Sequence, residues 1–358
     1  MSAPSRSVAT TSPVRAPVRS VGSGSALPMS FDVRTAFDFA LSLAVEVGEQ
    51  DELPVEDKTW LLEGRAAIPA PTGGLVIDDE LCIFGAGLLV DHPEVLDAAG
   101  YVSLLRNTSG RVFADIVLAD TLRDPEHHDD VVAALAGDEA AATRVIATWP
   151  EHKHGWLGKL LGDPDALIAF VADRMAAWLP RYQERESRFR TIIERDVALR
   201  AGERATLGPV ELVERTTNGI RWLSEPGVRR VVLAPSYLVR PYNFTFTGGD
   251  WRIFVYPVAD AAMEPHDPYA PPQGVLRLHR ALGDDTRLRI LRLLKDRDWY
   301  LTEIAERLEL SKPTIKHHLV QLRAAGLVTL TEEGGLSYYS LRRERLDDAS
   351  SELKRYLV

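Results

Sequence analysis

Cysteine is almost absent from this 358-residue chain: Cys82 stands alone, so no internal disulfide can form and no thiolate cluster can hold zinc. A reducing, cytoplasmic setting is the expectation, with Cys82 read as a buried bystander rather than a nucleophile. Also missing is any uninterrupted apolar run of about 18 residues, the length a membrane-spanning helix requires. The catalytic signatures are missing too. There is no GxxxxGK loop followed by Ser or Thr, no GxGxxG after a strand, no HExxH and no GxSxG. The expectation is a non-enzyme with no cofactor and no bound metal. Acidic residues, abundant elsewhere, are lacking from the first 28 positions, MSAPSRSVATTSPVRAPVRSVGSGSALP. That stretch has no apolar segment of the kind a signal peptide needs. Its Ser, Pro, Ala and Gly content predicts a disordered tail (1–28), unless translation starts at Met29, directly before the first patterned segment.

What is present is the composition of a globular chain, 45% hydrophobic and 26% charged, at a length that predicts two or three domains. The net charge of −10 is unevenly placed. Residues 276–358 hold 16 Lys and Arg against 13 Asp and Glu, while the remainder holds 26 against 39. An acidic body thus carries a mildly basic C-terminal module, a division compatible with nucleic-acid binding by that module.

From Met29 the pattern is mainly helical. SFDVRTAFDFALSLAVEVG spaces Val33, Ala36, Phe37, Ala40, Leu41, Ala44 and Val47 along one helical face, with Ser30 as N-cap and Gly48 as stop. Asp163-Pro164 opens the longest helical signal, which Pro180 should kink or split. After Pro209 the texture changes to GIRWLS, VRRVVLA, YNFTFT and WRIFVYPV, rich in β-branched and aromatic residues, with Thr247-Gly248-Gly249-Asp250 as a hairpin turn. The expected fold class is α+β, mainly α. A helical N-terminal domain (29–258) is closed by a small antiparallel sheet, and the Pro-rich stretch 259–274 is a linker that keeps it apart from a C-terminal domain (275–358).

The C-terminal pattern is more specific. VLRLHRALGDDTRLRILRLLKD carries two helical stretches, LTEIAERLEL a third, and SKPTIKHHLVQLRAAG a fourth that follows after a very short turn, with Ser311 as N-cap and Pro313 in the first turn. LVTLTEEGGLSYYSL reads as two strands around Gly334-Gly335, a wing, and RERLDDASSELKRYL as a last helix. At about 100° per residue, Ile315, Leu319 and Leu322 share a buried stripe with His318 at its edge. Pro313, Thr314, His317 and Gln321 share the opposite face, with Lys316 on its flank. Adjacent histidines on a helix do not face each other, which argues against one metal held by His317 and His318. His318 is expected at the edge of the core with a satisfied ring nitrogen. The polar face suits base edges and phosphates in a major groove.

ALGDDTRLRILRLL, LTEIAERLELSKPTIKHHLVQLRAAGLV and the terminal YYSL resemble the winged-helix domain of the ArsR/SmtB-type bacterial transcriptional regulators, over roughly residues 276–341. The resemblance implies that the helix beginning at Ser311 is a recognition helix, so that Ser311, Lys312, Pro313, Thr314, Lys316, His317 and Gln321 would contact a double-stranded DNA operator. It also implies a homodimer formed by the first and last helices of the module, with Leu278, Leu282, Leu346 and Leu353 as candidates. The sequence departs from metal-sensing members. DWYLTEIAER has no cysteine and the last helix no histidine, so no metal site is expected there. Asp285 stands where proline is frequent. The wing tip, Glu332-Glu333-Gly334-Gly335, lacks basic residues, for which Arg342, Arg343 and Arg345 could compensate.

Roughly 230 residues separate Met29 from the linker, more than dimerisation needs, and a sensor of a small molecule or partner is the expectation. VRRVVLAPSYLVRPYNF resembles an uncharacterised domain fused upstream of such winged helices. Arg230, Tyr237, Arg240, Tyr242 and Trp251 either line a pocket for an anionic or aromatic effector or simply pack the sheet. PEHHDD and PEHKH are read as solvated loops, although His127, His128, His152 and His154 could ligate metal if they met. The expected function is an ArsR-type transcriptional regulator, a repressor. An enzyme with a DNA-binding appendage and an interaction protein with a disused winged helix are the alternatives.

Overall fold

In the computed structural model, which describes residues 28–43, 52–69, 79–223, 225, 227–263, 269, 271–333 and 336–358, the chain opens on a strand instead of a helix. β1 (Met29–Phe31) pairs in parallel with β3 (Arg230–Ser236), Met29 opposite Val231. The predicted helix begins only at Thr35, as α1 (Thr35–Leu41), and Ser30 therefore caps nothing. The turn between them is fixed by Asp32, whose carboxylate accepts from the Arg34 amide at 3.0 Å and from its guanidinium at 2.6 Å. Val47 and Gly48, like the tail up to Leu27, lie outside the described residues.

The described residues of the body further form the α-helices α2 (Val55–Ala66), α3 (Ala98–Asn107), α4 (Gly110–Val117), α5 (Ala119–Arg123), α6 (His128–Leu135), α7 (Glu139–Ala147), α8 (His154–Gly162), α9 (Pro164–Gln183), α10 (Glu186–Leu199), α11 (Ala201–Thr206) and α12 (Pro209–Thr216), with a 3-10 helix over Asp79–Val90. Their starts follow local chemistry. Asp97, Asp138 and Asp163 each accept a hydrogen bond from an amide of the first turn, at 2.9, 2.9 and 3.0 Å. α9 runs through Pro180 and stops at Gln183, so the break predicted at the proline falls three residues later, before α10 starts at Glu186. Buried Trp178, Met175, Val171 and Ile168 along α9 form the spine of the main core.

The sheet of the body has the order β1-β3-β5-β4, with β4 (Phe244–Thr247) and β5 (Trp251–Pro257). It is mixed, not antiparallel as predicted. β1 and β5 both run parallel to β3, and only the β4–β5 hairpin is antiparallel. The core passes through its polar interior at Asp38. This fully buried carboxylate accepts from the Tyr237 and Leu238 amides at 2.7 and 2.9 Å, from the Tyr182 hydroxyl at 2.8 Å and from the Ser236 hydroxyl. Burial pushes its carboxyl above the usual range, against the pull of those hydrogen bonds.

The winged helix comprises α13 (Gln273–Leu282), α14 (Asp285–Leu294), β6 (Trp299–Tyr300), α15 (Leu301–Leu308), α16 (Lys312–Ala324), β7 (Val328–Glu333), β8 (Leu336–Leu341) and α17 (Arg343–Leu357). It has its own core of Leu278, Ile290, Leu294, Ile304, Ile315, Leu319 and Leu322. The architecture is mainly α, in the α+β class.

The two parts are not held apart. GIRWLS, predicted as part of the body's sheet, supplies β2 (Ile220–Arg221), which pairs in parallel with β7, so that the wing sheet reads β2-β7-β8-β6. The Leu330 amide donates to the Gly219 carbonyl at 2.8 Å. The predicted linker is likewise partly docked. Asp260–Ala262 forms a single 3-10 turn with Ala262 buried, and Asp260 accepts from Arg240 of the body and, at 3.2 Å, from Arg277 of α13. Residues 264–268 and 270 lie outside the described set.

Asn218 and Gly219 make the crossing, with φ of 54° and 120°. A Cβ on Gly219 would lie 2.9 Å from the Val328 carbonyl oxygen. Gly219→Ala is therefore expected to lower stability by about 1–3 kcal/mol in urea unfolding. The loss should exceed that of Gly227→Ala, where φ is 90° but nothing lies within 4 Å. Equal losses would show that close approach to β7 does not matter.

Candidate nucleic-acid interface

The turn between α15 and α16 is short because Glu309 takes a left-handed conformation, φ 57°, and ends α15. The Leu310 amide then donates back to the Ala305 carbonyl at 3.1 Å. Ser311 caps the next helix. Its hydroxyl accepts from the Thr314 amide at 3.3 Å and lies 2.7 Å from the Thr314 hydroxyl. Ile315, Leu319 and Leu322 are fully buried and fix the rotation of α16 about its axis. In consequence Ser311, Lys312, Pro313, Thr314, Lys316 and His317 are exposed together, with Gln321 half-buried a turn further on. The N-terminal half of the helix thus offers two ammonium groups, an imidazole, hydroxyls and an amide, which are donors and acceptors suited to phosphates and base edges.

The C-terminal end of α16 is occupied differently. Arg323 and Ala324 are buried, and the Ala324 carbonyl accepts from the Asn218 side-chain amide at 2.9 Å. Arg342 also turns to this seam: its guanidinium donates to the Asn218 side-chain oxygen at 3.3 Å, and burial pulls its pKa below the usual value. Arg345 donates to the Ala325 carbonyl at 3.4 Å and pairs with Glu352, while Arg343 donates to the Lys295 carbonyl at 2.5 Å. All three arginines considered as compensation for an acidic wing thus bond to other parts of the chain, and of the three only Arg343 is exposed. Gly334 and Gly335, and the side chains of Glu332 and Glu333, lie outside the described residues. Sequence reasoning missed Asn218. The Asn-Gly pair signals left-handed backbone, but its partner is more than 100 residues away.

Of the residues expected at a dimer interface, Leu278 is fully buried in the core of its own winged helix and has no surface to offer. Leu282 packs at the edge of that core, Leu353 is half-buried and Leu346 is 38% exposed. The five residues considered for an effector pocket have separate partners, although Arg230 stands opposite Trp251 in the pairing of β3 with β5. Arg230 pairs with Asp91 and Asp250 at 2.9 and 2.7 Å. The Tyr237 hydroxyl binds Asp57, and Trp251 is buried beside Gly87 and Gly248. Tyr242 packs against the main core, and Arg240 faces the seam. Nor do the loop histidines gather. His128 Nδ1 lies 2.8 Å from the Leu122 carbonyl oxygen and His154 Nε2 2.7 Å from that of Trp149. No group of three His, Cys, Asp or Glu fit for a metal occurs among the described residues.

His318 sits at the edge of the core as expected, but its Nδ1 has no hydrogen bond; the nearest partner, Asp284 Oδ1, is 3.7 Å away. Burial lowers its pKa below 6.5, and Asp284 only partly offsets this. A depressed folded pKa means that the unfolded chain binds the extra proton first. The contribution of the neutral ring is whole above about pH 6.5 and is lost as pH falls from there toward the folded value. His318→Gln is expected to flatten the decline in melting temperature between pH 7 and pH 5. An unchanged decline would assign it to other groups.

A profile of the family described as "Bacterial regulatory protein, arsR family" matches residues 284–329. The transcriptional repressor SdpR of Bacillus subtilis is 41% identical over 70 residues, 20% of this chain and 78% of SdpR. The HTH-type transcriptional regulator CmtR of Mycobacterium tuberculosis is 43% identical over 77 residues, 22% of this chain and 65% of CmtR. Among solved structures, HlyU from Vibrio cholerae aligns at 30% identity over 24% of this chain and 95% of its own, with a TM-score of 0.20. The profile covers residues 284–329, and the three relatives cover 20–24% of the sequence. Through its C-terminal winged helix, this chain belongs to the ArsR family of bacterial regulatory proteins.

Proposed function

We propose that this protein is a sequence-specific DNA-binding transcriptional regulator, a cytoplasmic repressor that acts as a homodimer and whose N-terminal body senses a small molecule or partner. The observation that carries the reading is the exposed N-terminal half of α16, with Lys312, Thr314, Lys316 and His317 projecting from a helix whose rotation is fixed by three fully buried aliphatic residues. Such a face is short, varied and rigidly supported, which is what base readout requires. The names of the relatives, repressor and transcriptional regulator, support the same reading. In the dimer, α17 would present Leu346 and Leu353, with Leu282 of α13 beside them. The body's helices, far more extensive than a dimer contact needs, support a sensory role.

Site selection from random DNA with the full-length chain tests the reading. Thr314→Ala, His317→Ala and Gln321→Ala are each expected to weaken binding to the selected site by about 1–3 kcal/mol where the residue reads a base, with less change on random DNA. Lys312→Ala and Lys316→Ala should weaken binding to both and flatten its salt dependence. Equal losses on selected and random DNA for all five variants would show that α16 reads no sequence. Light scattering of the same protein should give the mass of a dimer, falling toward that of a monomer in Leu346→Asp.

A further inference from the structure

The seam between the body and the winged helix encloses a cleft of about 230 Å³. Arg215, Thr216, Arg240 and Asn243 line it from the body, and Arg277 and Ala324 line it from the winged helix. At roughly 30 Å³ per liquid water, its volume suits a small metabolite and not a drug-sized ligand.

Its walls are rich in guanidinium, and each of these cations also meets a carboxylate. Four guanidiniums face it, those of Arg200, Arg215, Arg240 and Arg277, against the carboxylates of Glu52 and Asp260. Glu52 and Asp260 are already engaged by Arg277, at 2.7 and 3.2 Å, and Asp260 also by Arg240. Arg200 turns to Asp196 at 2.9 Å. Arg215 has a single ion-pair contact among the described residues, 3.8 Å from Glu203, and its side chain is 64% exposed.

The same walls hold unmet hydrogen-bonding capacity. Arg240 is 1% exposed and Thr216 3%. Arg240 Nε, Thr216 Oγ1 and Asn243 Oδ1 are buried with no hydrogen-bond partner among the described residues. Unpartnered buried groups are costly and rare, and three in one wall are a concentration that packing does not explain. They comprise a fixed N–H donor, a fixed acceptor and a hydroxyl that can serve as either. All three residues line the cleft.

We propose that this cleft is an effector site for a small organic or inorganic anion, bearing a carboxylate or phosphate, and that occupancy shifts the recognition helix. The inference rests on the regulatory reading above, of which it names the ligand class and the route of coupling. Ala324, in the cleft wall, is the last residue of α16, and its carbonyl is held by Asn218, two residues from Thr216. A ligand that draws Thr216 and Asn243 together acts directly on that bond, and through it on the direction in which Thr314 and His317 project.

Melting of the full-length protein with inorganic phosphate, succinate and malate, at ionic strength held constant with sodium chloride, tests the site without DNA. At least one anion should raise the melting temperature of the wild type beyond the chloride control. Arg215→Ala, a surface change, and Thr216→Val, which removes a hydroxyl able to donate to an anion, should each weaken that anion's binding about tenfold, the loss expected for one charge-assisted or buried hydrogen bond. Phosphate alone stabilising would assign a phosphate ligand, and either dicarboxylate alone a carboxylate. No stabilisation by any of the three, or stabilisation unaltered in both variants, overturns the site. The same anion should change affinity for the selected DNA at least fivefold, the lower end of allosteric coupling; an unchanged affinity overturns the coupling. DNA binding without anion binding would retain the regulator and remove the cleft, whereas anion binding by a chain that binds no DNA would retain the cleft and remove the regulator.

Discussion

Two residues of backbone, Ile220 and Arg221, determine how everything N-terminal to them stands relative to everything that could touch DNA. By lying along β7 they make the wing sheet partly a product of the body. Asn218, just before them, reaches in two further directions, to the end of α16 and to Arg342 after the wing. α16 and the wing are thus referenced to one residue of the body. Interdomain contacts within a chain are commonly loose; here they include backbone hydrogen bonds, which cannot slide without breaking, and a movement of the body must be transmitted or resisted as a whole.

The body has the stiffness such transmission needs, and it comes from carboxylates as much as from hydrocarbon. Asp38 gathers α1, α9 and the end of β3 at one point. Asp196 does the same for α10, β5 and the start of the 259–262 turn, accepting from the Tyr256 hydroxyl and the Ala259 amide, both at 2.7 Å. Each carboxylate is satisfied by donors from several elements, so removing one would leave partners unpaired inside the core. Because Ala259 leads directly into the 3-10 turn that holds Arg240 and Arg277 around Asp260, this rigidity extends to the seam.

Much of the winged helix was legible in the sequence because its determinants are local. The 3.6-residue spacing of Ile315, Leu319 and Leu322, the Ser311 cap and the proline behind it suffice to define α16 and the face it exposes. The same holds for Asp163-Pro164 at the start of α9. What escaped is everything that depends on a partner chosen across the chain. MSF and GIR are too short for alternation to reveal which edge they join, and β-branched texture does not distinguish parallel from antiparallel neighbours. Arginines are the extreme case. Arg342 reads from the sequence as a phosphate contact beside the wing and Arg240 as a pocket or sheet residue, yet both are drawn into the seam by acceptors that no spacing announces. Prolines misled in the opposite sense: those between 259 and 274 suggested a free tether, while the acid among them, Asp260, is what fastens it.

The pairing of β2 with β7 has a bearing on how this winged helix can be handled. In a shorter relative the outer edge of such a wing can be a finished surface. Here that edge is the place where the body sits, and Thr329 and Thr331 on β7 are buried beneath it. A fragment begun at the linker would uncover a row of unsatisfied backbone donors and acceptors on a strand rich in valine, leucine and threonine, the kind of template on which strands from other molecules add. For this chain the winged helix is therefore not a separable cassette. Grafting it onto another protein would require a substitute for Gly219-Ile220-Arg221, or a charged residue placed on β7 to protect the exposed edge.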